Sequence, residues 1–361
     1  MLLAPVPHAV GRRLARSVPA VDPRHMPVLR ANATVTERYA RALTGMGIRS
    51  VWVHDELSEG IEPVELVSSE LRQRAARTVS HALDGARDAL RRGTELPADV
   101  LGQLDEVVAE IGTSVAGHAG AAVVLTDLAA ADAYTHQHSI DVCALGLRLG
   151  RVLFAREGWQ DDRGRRRVDA TDRRLHLLGL GLLLHDVGKL AVPPELLLKP
   201  GKLTDEEQAI MRRHPEHGAL LLDSDRYSPV VRAIVREHHE RWDGLGYPRG
   251  LAGTDIHQLA RIATVADVYD AVTSERPYKP AQPAHVGFSV IAAGAGRAFD
   301  PDVVEVFRQA VNPYPVGTPL RLADGTTGVI ARVDPEHPTC PWVRFDDGER
   351  PVDVEHEPLA A

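Results

Sequence analysis

Residues 182–190 read LLLHDVGKL, a run of leucines followed by side chains with polar chemistry. The leucines predict a buried helix, which His185 and Asp186 follow directly. Because polar groups buried at the end of such a helix need partners, the pair indicates a bound ligand or a structural partner. An imidazole beside a carboxylate offers a nitrogen ligand and an oxygen ligand able to bridge two cations, and Lys189 adds a charge for a phosphate oxygen. By itself, however, a His-Asp pair is more often a structural hydrogen bond or ion pair.

Imidazole and carboxylate groups recur along the chain within predicted helices or at their ends. They are His138, His214, His238, His239 and Asp267. A lone histidine on an apolar helix is usually a hydrogen-bonded core residue, so no single one of them indicates a metal. Together with His185 and Asp186, they make up a donor set that suits Fe, Mn or a similar divalent metal. The histidines that fit this set less well are predicted to be surface, core or supporting residues: His136, His176, His217, His257 and His285.

The sequence HHERWDGLGYPRGLAG at residues 238–253 predicts a loop after a helix, because its glycines and proline favour turns. Loops on a rigid scaffold often carry recognition. Gly246, Tyr247 and Pro248 would bring backbone amides and an aromatic ring close to the two adjacent histidines that open the segment. A Gly-Tyr-Pro tripeptide alone, however, predicts no more than a turn.

Four regions follow from the pattern of apolar residues and turn residues. Residues 1–62 mix short β-like runs with one predicted helix near 36–46, and predict a small α+β module. Residues 63–119 carry apolar residues at three- and four-residue intervals and predict connecting amphipathic helices. Residues 120–312 continue as helices broken at Gly and Pro, and residues 313–361 predict a small β-rich appendage with Asp-Gly turns.

Two local features in the helical region allow more detailed predictions. Thr204 followed by Glu207 forms a capping box, which predicts a helix over about residues 205–214. Pro215 then falls where that helix bends or ends. The charged run DDRGRRR at 161–167 predicts a solvated loop between helices.

Composition restricts the classes of partner. With a formal net charge of -8 over 361 residues, the chain has no electrostatic footprint for long nucleic acid, which a basic face would bind. Its 2 cysteines are too few for a disulfide scaffold. No apolar run approaches the roughly 18 residues of a membrane span, and the N-terminus lacks a signal-peptide core. We therefore expect a cytoplasmic protein that binds neither a membrane nor long nucleic acid.

Four motifs, in sequence order, resemble the HD-GYP family of bacterial phosphodiesterases. They are HDVGK at 185–189, HPEHG at 214–218, HHERWDGLGYP at 238–248 and VADVYDAVTSERPY at 265–278. The resemblance covers roughly residues 120–312. It implies a mainly α protein, in which an all-α HD-type helical catalytic domain is flanked by the small α+β N-terminal module and the small β-rich C-terminal appendage.

Carried over residue by residue, the resemblance implies a centre of two divalent metal ions, Fe or Mn. Its ligands would be His138, His185, Asp186, His214, His238, His239 and Asp267. Asp186 would bridge the ions and act in catalysis together with Lys189, which would touch the scissile phosphate. Substrate contacts would come from Lys189, Gly246, Tyr247, Pro248 and Arg276. Some family members carry a glutamate at the position of Tyr134 that serves an additional metal, so the tyrosine here favours two metals over three.

The resemblance also implies a substrate, cyclic di-GMP, which metal-activated water would open to linear pGpG, with slower cleavage on to GMP. Two other interpretations stay open. One is a binding protein that retains the metals and responds to a cyclic dinucleotide with slow or absent turnover. The other is an HD hydrolase of another nucleotide. In each case the N-terminal region could support a homodimer or contact a signalling partner.

Overall fold

The computed structural model places the apolar residues of the chain in three separate cores. The described residues are 1–18, 27–46, 48, 50–63, 65–92, 98–118, 134–161, 164–197, 199, 201–222, 225–274, 281–334 and 337–354. Side chains are described for all of these except residues 69, 98–100 and 134–136. Among the described residues, no helix has the length and apolar character needed to cross a membrane.

The N-terminal core is built by a two-stranded antiparallel sheet and one helix. Strand β1 (Leu2–Pro5) pairs with β2 (Ser50–Val53). Helix α1 (Glu37–Gly45) begins where the Thr36 hydroxyl accepts a hydrogen bond from the backbone N–H of Tyr39. The mixed α and β character that the sequence predicts for this part of the chain is confirmed.

The largest core brings together helices from both middle regions of the chain. Helices α2 (Ser69–Arg92) and α3 (Ala98–Gly117) pack against α4 (Tyr134–Glu157) and α5 (Thr171–Leu184). Buried apolar side chains from all four helices form one continuous cluster. The helices that we predicted as connecting helices therefore belong to the same packing unit as the helices that follow them.

A buried ion pair ties the first turn of α2 to α4. Arg72 pairs with Asp141, whose side chain is 2% exposed. Gln137 also donates to the Asp141 carboxylate, at 2.8 Å. Asp141 lies about one helical turn after His138, so the position of that histidine depends on α2 as well as on its own helix.

The charged run at 161–167 ends in a short hairpin and is not the simple loop that we predicted. Strands β3 (Trp159–Gln160) and β4 (Arg166–Arg167) pair in antiparallel fashion. The guanidinium of Arg174 lies 4.5 Å from the centroid of the Trp159 ring. The arginines of β4 are exposed, as their charge predicts. Charge did not reveal the backbone pairing, because strand pairing depends on the partner segment and not on the charge of one run.

The remaining helices complete the largest core. They are α6 (Pro194–Leu197), α7 (Asp205–Met211), α8 (His214–Leu221), α9 (Pro229–Glu237), α10 (Gln258–Thr273), α11 (Ala284–Ala293) and α12 (Pro301–Ala310). A short 3-10 turn, Val187–Ala191, follows α5. Helix α9 packs closely on α5, because a Cβ added to Gly181 would lie 2.4 Å from the side chain of Ile234.

The capping box at Thr204 is confirmed, but the helix that it begins is shorter than predicted. The Thr204 hydroxyl accepts from the N–H of Glu207, and the Glu207 carboxylate accepts from the N–H of Thr204. Helix α7 ends at Met211, and His214 begins the next helix. Pro215 lies in the first turn of that helix, where the absent N–H is not needed. The prediction for Pro215 was wrong because proline can begin a helix as well as end one.

The third core belongs to an antiparallel sheet near the C-terminal end of the described chain. Its strands follow in order across the sheet: β5 (Pro319–Arg321), β6 (Thr327–Asp334), β7 (His337–Phe345) and β8 (Gly348–Pro351). One Asp-Gly pair lies between β5 and β6, and a second joins β7 to β8, whose first residue is the glycine of that pair. Arg344 donates to the backbone oxygens of Leu57, at 3.3 Å, and Glu59, at 2.6 Å, so the sheet contacts the N-terminal module. The predicted mainly α fold with small β-containing ends is confirmed.

Candidate metal centre

The ends of several helices bring imidazole and carboxylate side chains into one largely buried group, here named the His/Asp cluster. His185 is the C-cap of α5, His238 is the C-cap of α9, and His214 is the first residue of α8. Their donor atoms fall into overlapping sets within 4.8 Å of one another. The sets are Asp186 with His214, His238 and His239; Asp186 with His138 and His185; and Asp267 with His185 and His238. The cluster thus contains every side chain that we predicted as a metal ligand.

Asp186 lies at the centre of the His/Asp cluster, and its two oxygens face different partners. Oδ1 lies 3.3 Å from Nε2 of His214 and 3.9 Å from Nε2 of His238. Oδ2 lies 3.5 Å from Nε2 of His185 and 3.7 Å from Nε2 of His138. The carboxylate is therefore oriented to contact two separate cation positions.

Asp267 supplies a second carboxylate and joins two parts of the cluster. Its Oδ1 lies 3.2 Å from Nε2 of His138 and 4.0 Å from Nε2 of His185. Its Oδ2 lies 3.7 Å from Nδ1 of His239. As with Asp186, the two oxygens face different imidazoles.

Three histidines are oriented by the same kind of backbone contact. Nδ1 of His185 lies 2.7 Å from the carbonyl oxygen of Leu182, three residues earlier. His214 and His238 make the equivalent contact at 2.9 and 2.8 Å. Because a carbonyl oxygen only accepts, each Nδ1 donates, and a neutral ring then presents a lone pair at Nε2. The Nε2 atoms of His214 and His238 lie 3.3 Å apart, so two lone pairs face each other, and a cation would satisfy both.

His138 is oriented by Asp270, a carboxylate that the sequence analysis did not single out. Nδ1 of His138 lies 2.5 Å from Oδ2 of Asp270, and the Ser274 hydroxyl donates to the other oxygen at 2.9 Å. Nε2 of His138 then faces Nε2 of His185 at 3.2 Å. Asp270 follows Asp267 by three residues on α10, and this spacing of about one turn is the signal that the sequence contained.

The two carboxylates of the cluster stay ionised despite burial. Burial raises the pKa of Asp186, but the positive charge of Lys189 opposes this effect, and the pKa of Asp186 lies well below its usual value. Burial also raises the pKa of Asp267, but the hydrogen bond from His138 lowers it. The pKa of Asp267 therefore also lies well below its usual value. Two buried negative charges need compensating cations. The donor set therefore fits a divalent metal centre.

The imidazoles differ in their affinity for a proton. Burial lowers the pKa of His185 and of His238, and lowers the pKa of His239 to about 3, so these rings are neutral at pH 7. A neutral ring is the form that binds a metal. Burial also lowers the pKa of His138, but hydrogen bonds to Asp267 and Asp270 outweigh it and raise that pKa to about 9. A ring held between two carboxylates attracts a proton or, in its place, a metal cation.

The Gly-Tyr-Pro segment lies directly against the His/Asp cluster. The Tyr247 ring stacks on His239, with centroids 4.7 Å apart and planes at 30°. The Tyr247 N–H donates to the backbone oxygen of His239 at 3.2 Å. A Cβ added to Gly246 would lie 2.4 Å from the backbone nitrogen of Arg241, so glycine is required for this approach. Pro248 follows and is half-buried.

The buried carboxylate of Glu240 binds the backbone of the same loop. Its side chain is almost fully buried, and its carboxylate accepts from the backbone N–H groups of Arg249, at 2.7 Å, and Leu251, at 3.0 Å. These two hydrogen bonds fix the loop beside His239. This role could not be predicted from the sequence, because the motif shows a glutamate but not which N–H groups it faces.

The other predicted residues divide into those in contact with the cluster and those away from it. Nζ of Lys189 lies 2.5 Å from Oδ2 of Asp186, and the lysine side chain is 31% exposed. Arg276 and the side chains of Tyr134 and His136 lie outside the described residues. In the part of the chain that is described, the donor sets do not include His176, His217, His257 or His285.

Residues 164–303 match the model of the HD domain family. A cyclic di-GMP phosphodiesterase of Pseudomonas aeruginosa is 40% identical to this chain over 272 residues, which make up 75% of this chain and 62% of that protein. The chain therefore contains an HD domain. The matched HD domain includes most of the His/Asp cluster, whereas His138 lies before it on α4.

Relatives of this HD domain are named for more than one substrate. The cyclic di-GMP phosphodiesterase response regulator RpfG of Xanthomonas campestris is 44% identical over 137 residues, which make up 37% of this chain and 36% of that protein. The 3′3′-cGAMP-specific phosphodiesterase 2 of Vibrio cholerae is 44% identical over 125 residues, which make up 34% of this chain and 24% of that protein. The chain thus spans less than two thirds of the length of each of these three relatives. The HD domain and its buried His/Asp cluster together indicate divalent metal binding.

Proposed function

We propose that this chain is a metal-dependent phosphodiesterase that opens cyclic di-GMP to linear pGpG. The observation that carries the proposal is the pair of facing nitrogens, Nε2 of His214 and Nε2 of His238, at 3.3 Å with both Nδ1 atoms held by backbone oxygens. A shared cation satisfies both lone pairs. The substrate is supported by the names of the Pseudomonas and Xanthomonas relatives, both cyclic di-GMP phosphodiesterases.

Two sets of side chains would hold two divalent ions. One set is His138, His185, Asp186 and Asp267, and the other is Asp186, His214, His238 and His239. Asp186 belongs to both sets, in keeping with the different partners of its two oxygens. Imidazole and carboxylate ligands suit Fe or Mn. The proposal of two ions, and not three, depends on Tyr134 at the position where some family members carry a glutamate.

The residues around the cluster would position the substrate. Divalent ions in such a centre lower the pKa of water and neutralise charge on phosphoryl oxygens. Lys189, beside Asp186, would bind an oxygen of the scissile phosphate. Tyr247 would offer an aromatic surface next to His239, in a place that Gly246 and Pro248 help to fix. Arg276 would contact a guanine or a phosphate.

A second candidate substrate is 3′3′-cGAMP. It is favoured by the Vibrio relative named for that compound, which is 44% identical over 125 residues. Both compounds are cyclic dinucleotides with two phosphodiesters, so a metal centre alone would not distinguish them. Contacts to the second base would decide between them, and a direct comparison of turnover is therefore needed.

The test is hydrolysis by protein loaded anaerobically with Fe(II) or Mn(II), with the metal content measured on the same sample. We expect about two ions per chain and faster conversion of cyclic di-GMP than of 3′3′-cGAMP. Asp186→Ala should remove both metal and activity. His176→Ala should preserve both, because His176 pairs with Asp105 outside the cluster, at 2.7 Å. Metal-loaded protein that binds cyclic di-GMP without cleaving it would favour a binding protein, and cleavage of other nucleotides alone would favour a different HD hydrolase.

We further propose the division of the chain at residues 62, 119 and 312. The outer boundaries are supported by the separate cores, which extend over residues 4–53, 66–311 and 320–352. The boundary at 119 separates helices that share one core, so residues 63–119 would fold together with the catalytic region. A cytoplasmic location, and a homodimer or a signalling partner at the N-terminal region, stay predictions.

A further inference from the structure

We propose that Arg212 binds the phosphodiester of the substrate that is not being cleaved. This inference rests on the proposed function, because a cyclic dinucleotide presents two phosphodiesters and the metal centre cleaves one at a time. Arg212 is the C-cap residue of α7 and lies two residues before His214. Its guanidinium lies over the Tyr247 ring, 5.3 Å from the ring centroid. The cation is therefore placed at the edge of the His/Asp cluster.

The contacts of Tyr247 hold this arrangement in place. The tyrosine ring stacks on His239 with centroids 4.7 Å apart, and its backbone N–H is bonded to the His239 oxygen. Arg212, Tyr247 and His239 thus form a continuous series of contacts from the protein surface to the cluster. A guanidinium packed on a ring keeps its N–H donors in its own plane, where they can bind a phosphate in bidentate fashion. The ring contact also reduces the freedom that the arginine would lose on binding.

Two other cations near the cluster, within the described part of the chain, already have carboxylate partners. Lys189 pairs with Asp186 at 2.5 Å, and Arg249 pairs with Glu237 at 3.5 Å. Arg212 is exposed and, within the described part of the chain, has no carboxylate at ion-pair distance. With a formal net charge of -8, the chain needs local positive charge to attract a dianionic dinucleotide. Arg212 meets this need at a fixed position.

The test compares Arg212→Ala with a matched control, Arg213→Ala. Arg213 is the adjacent residue, is also exposed, and has no aromatic ring contact among the described residues. We expect Arg212→Ala to raise KM for cyclic di-GMP roughly tenfold, with kcat within about twofold and normal metal content. Arg212→Lys should show a smaller increase, because it keeps the charge and loses the planar fork. Arg213→Ala should leave KM unchanged.

The linear dinucleotide GpG distinguishes a phosphate contact from a guanine contact, because it has both guanines but one phosphodiester. A phosphate contact predicts that Arg212→Ala changes KM for cyclic di-GMP and not for GpG. Equal increases for both compounds, or no increase for either, would overturn the proposal. Wild-type protein that cleaves neither compound would contradict the proposed function instead. In that case the Kd for cyclic di-GMP, compared between wild type and Arg212→Ala, tests Arg212 separately, and an unchanged Kd would overturn its role.

Discussion

Nδ1 of His138 lies 2.5 Å from Oδ2 of Asp270, and neither side chain is more than 2% exposed. The contact turns the ring so that its Nε2 faces Nε2 of His185 and a carboxylate oxygen of Asp267. A carboxylate behind a metal-binding imidazole fixes the ring and strengthens its donor nitrogen. Asp270 is therefore a positioning residue for the metal centre.

Replacing Asp270 should weaken metal binding without removing a predicted ligand. We expect Asp270→Ala to lower metal affinity about 10–100-fold, and Asp270→Asn to lower it less because an amide oxygen still accepts from Nδ1–H. Calorimetric titration with Mn(II) measures the affinity, and thermal unfolding of the metal-free variants reports their folding. Asp172→Asn, an exposed change at the start of α5, is the control. Equal affinities for Asp270→Ala and this control would contradict the positioning role.

Metal removal should lower the stability of the protein. Asp186 and Asp267 remain ionised in a buried place, so the loss of a cation leaves their charges uncompensated. A metal present at 100 times its Kd stabilises the folded state by about 2.7 kcal/mol, so Tm should fall by several degrees on chelation. Scanning calorimetry with and without chelator measures this change. The Tm of Asp186→Ala should change little on chelation. If the Tm of wild type and of Asp186→Ala fell equally, the stabilising metal would have to bind outside the His/Asp cluster.

Tyr247→Ala should weaken substrate use while metal content stays near normal. The substitution removes the ring between Arg212 and His239 but no predicted metal ligand. Since an aromatic stacking contact contributes about 0.5–1.5 kcal/mol, we expect KM for cyclic di-GMP to rise several-fold. Tyr247→Phe retains the ring and should behave almost as wild type. Identical kinetics for Tyr247→Ala and wild type would remove the ring from substrate recognition.

Glu240→Ala should loosen the Gly-Tyr-Pro loop. The substitution leaves the backbone N–H groups of Arg249 and Leu251 without their carboxylate acceptor. Each of these groups that stays buried and unpaired destabilises the folded protein by about 1–3 kcal/mol. Trypsin cleavage after Arg249 should become faster, and Tm should fall. Asp243→Ala is the control, because Asp243 is exposed, accepts from the backbone N–H of Leu245 in the same loop and pairs with the side chain of Arg241. A cleavage rate no higher than that of the control would show that Glu240 does not hold the loop.

The members of the His/Asp cluster could be predicted because residue type and motif order carry that information. Asp270 and Arg212 could not be predicted in the same way. The contact between His138 and Asp270 joins residues 132 positions apart, and it exists only because α10 packs on α4. Arg212 acquires its position from a ring in a different motif. Such contacts depend on helix packing, which a single sequence does not display.

The limits of the fold prediction have a similar origin. The amphipathic pattern of α2 and α3 shows that each helix has a buried face, but it does not show which helices cover that face. The capping box located the start of α7 correctly, whereas its end at Met211 depends on the entry of Pro215 into the next helix. Local signals thus predicted where elements begin better than what they contact.

The common core of α2, α3, α4 and α5 determines the shortest piece of this chain that could be transplanted into another protein. The family match begins at residue 164, but a fragment cut there would lose α4 together with His138. It would also bare the apolar face of α5, including Leu178 and Leu182, to solvent, which favours aggregation. A fragment that is to fold by itself therefore has to start before Leu66, about 100 residues before the segment that matches the HD domain family.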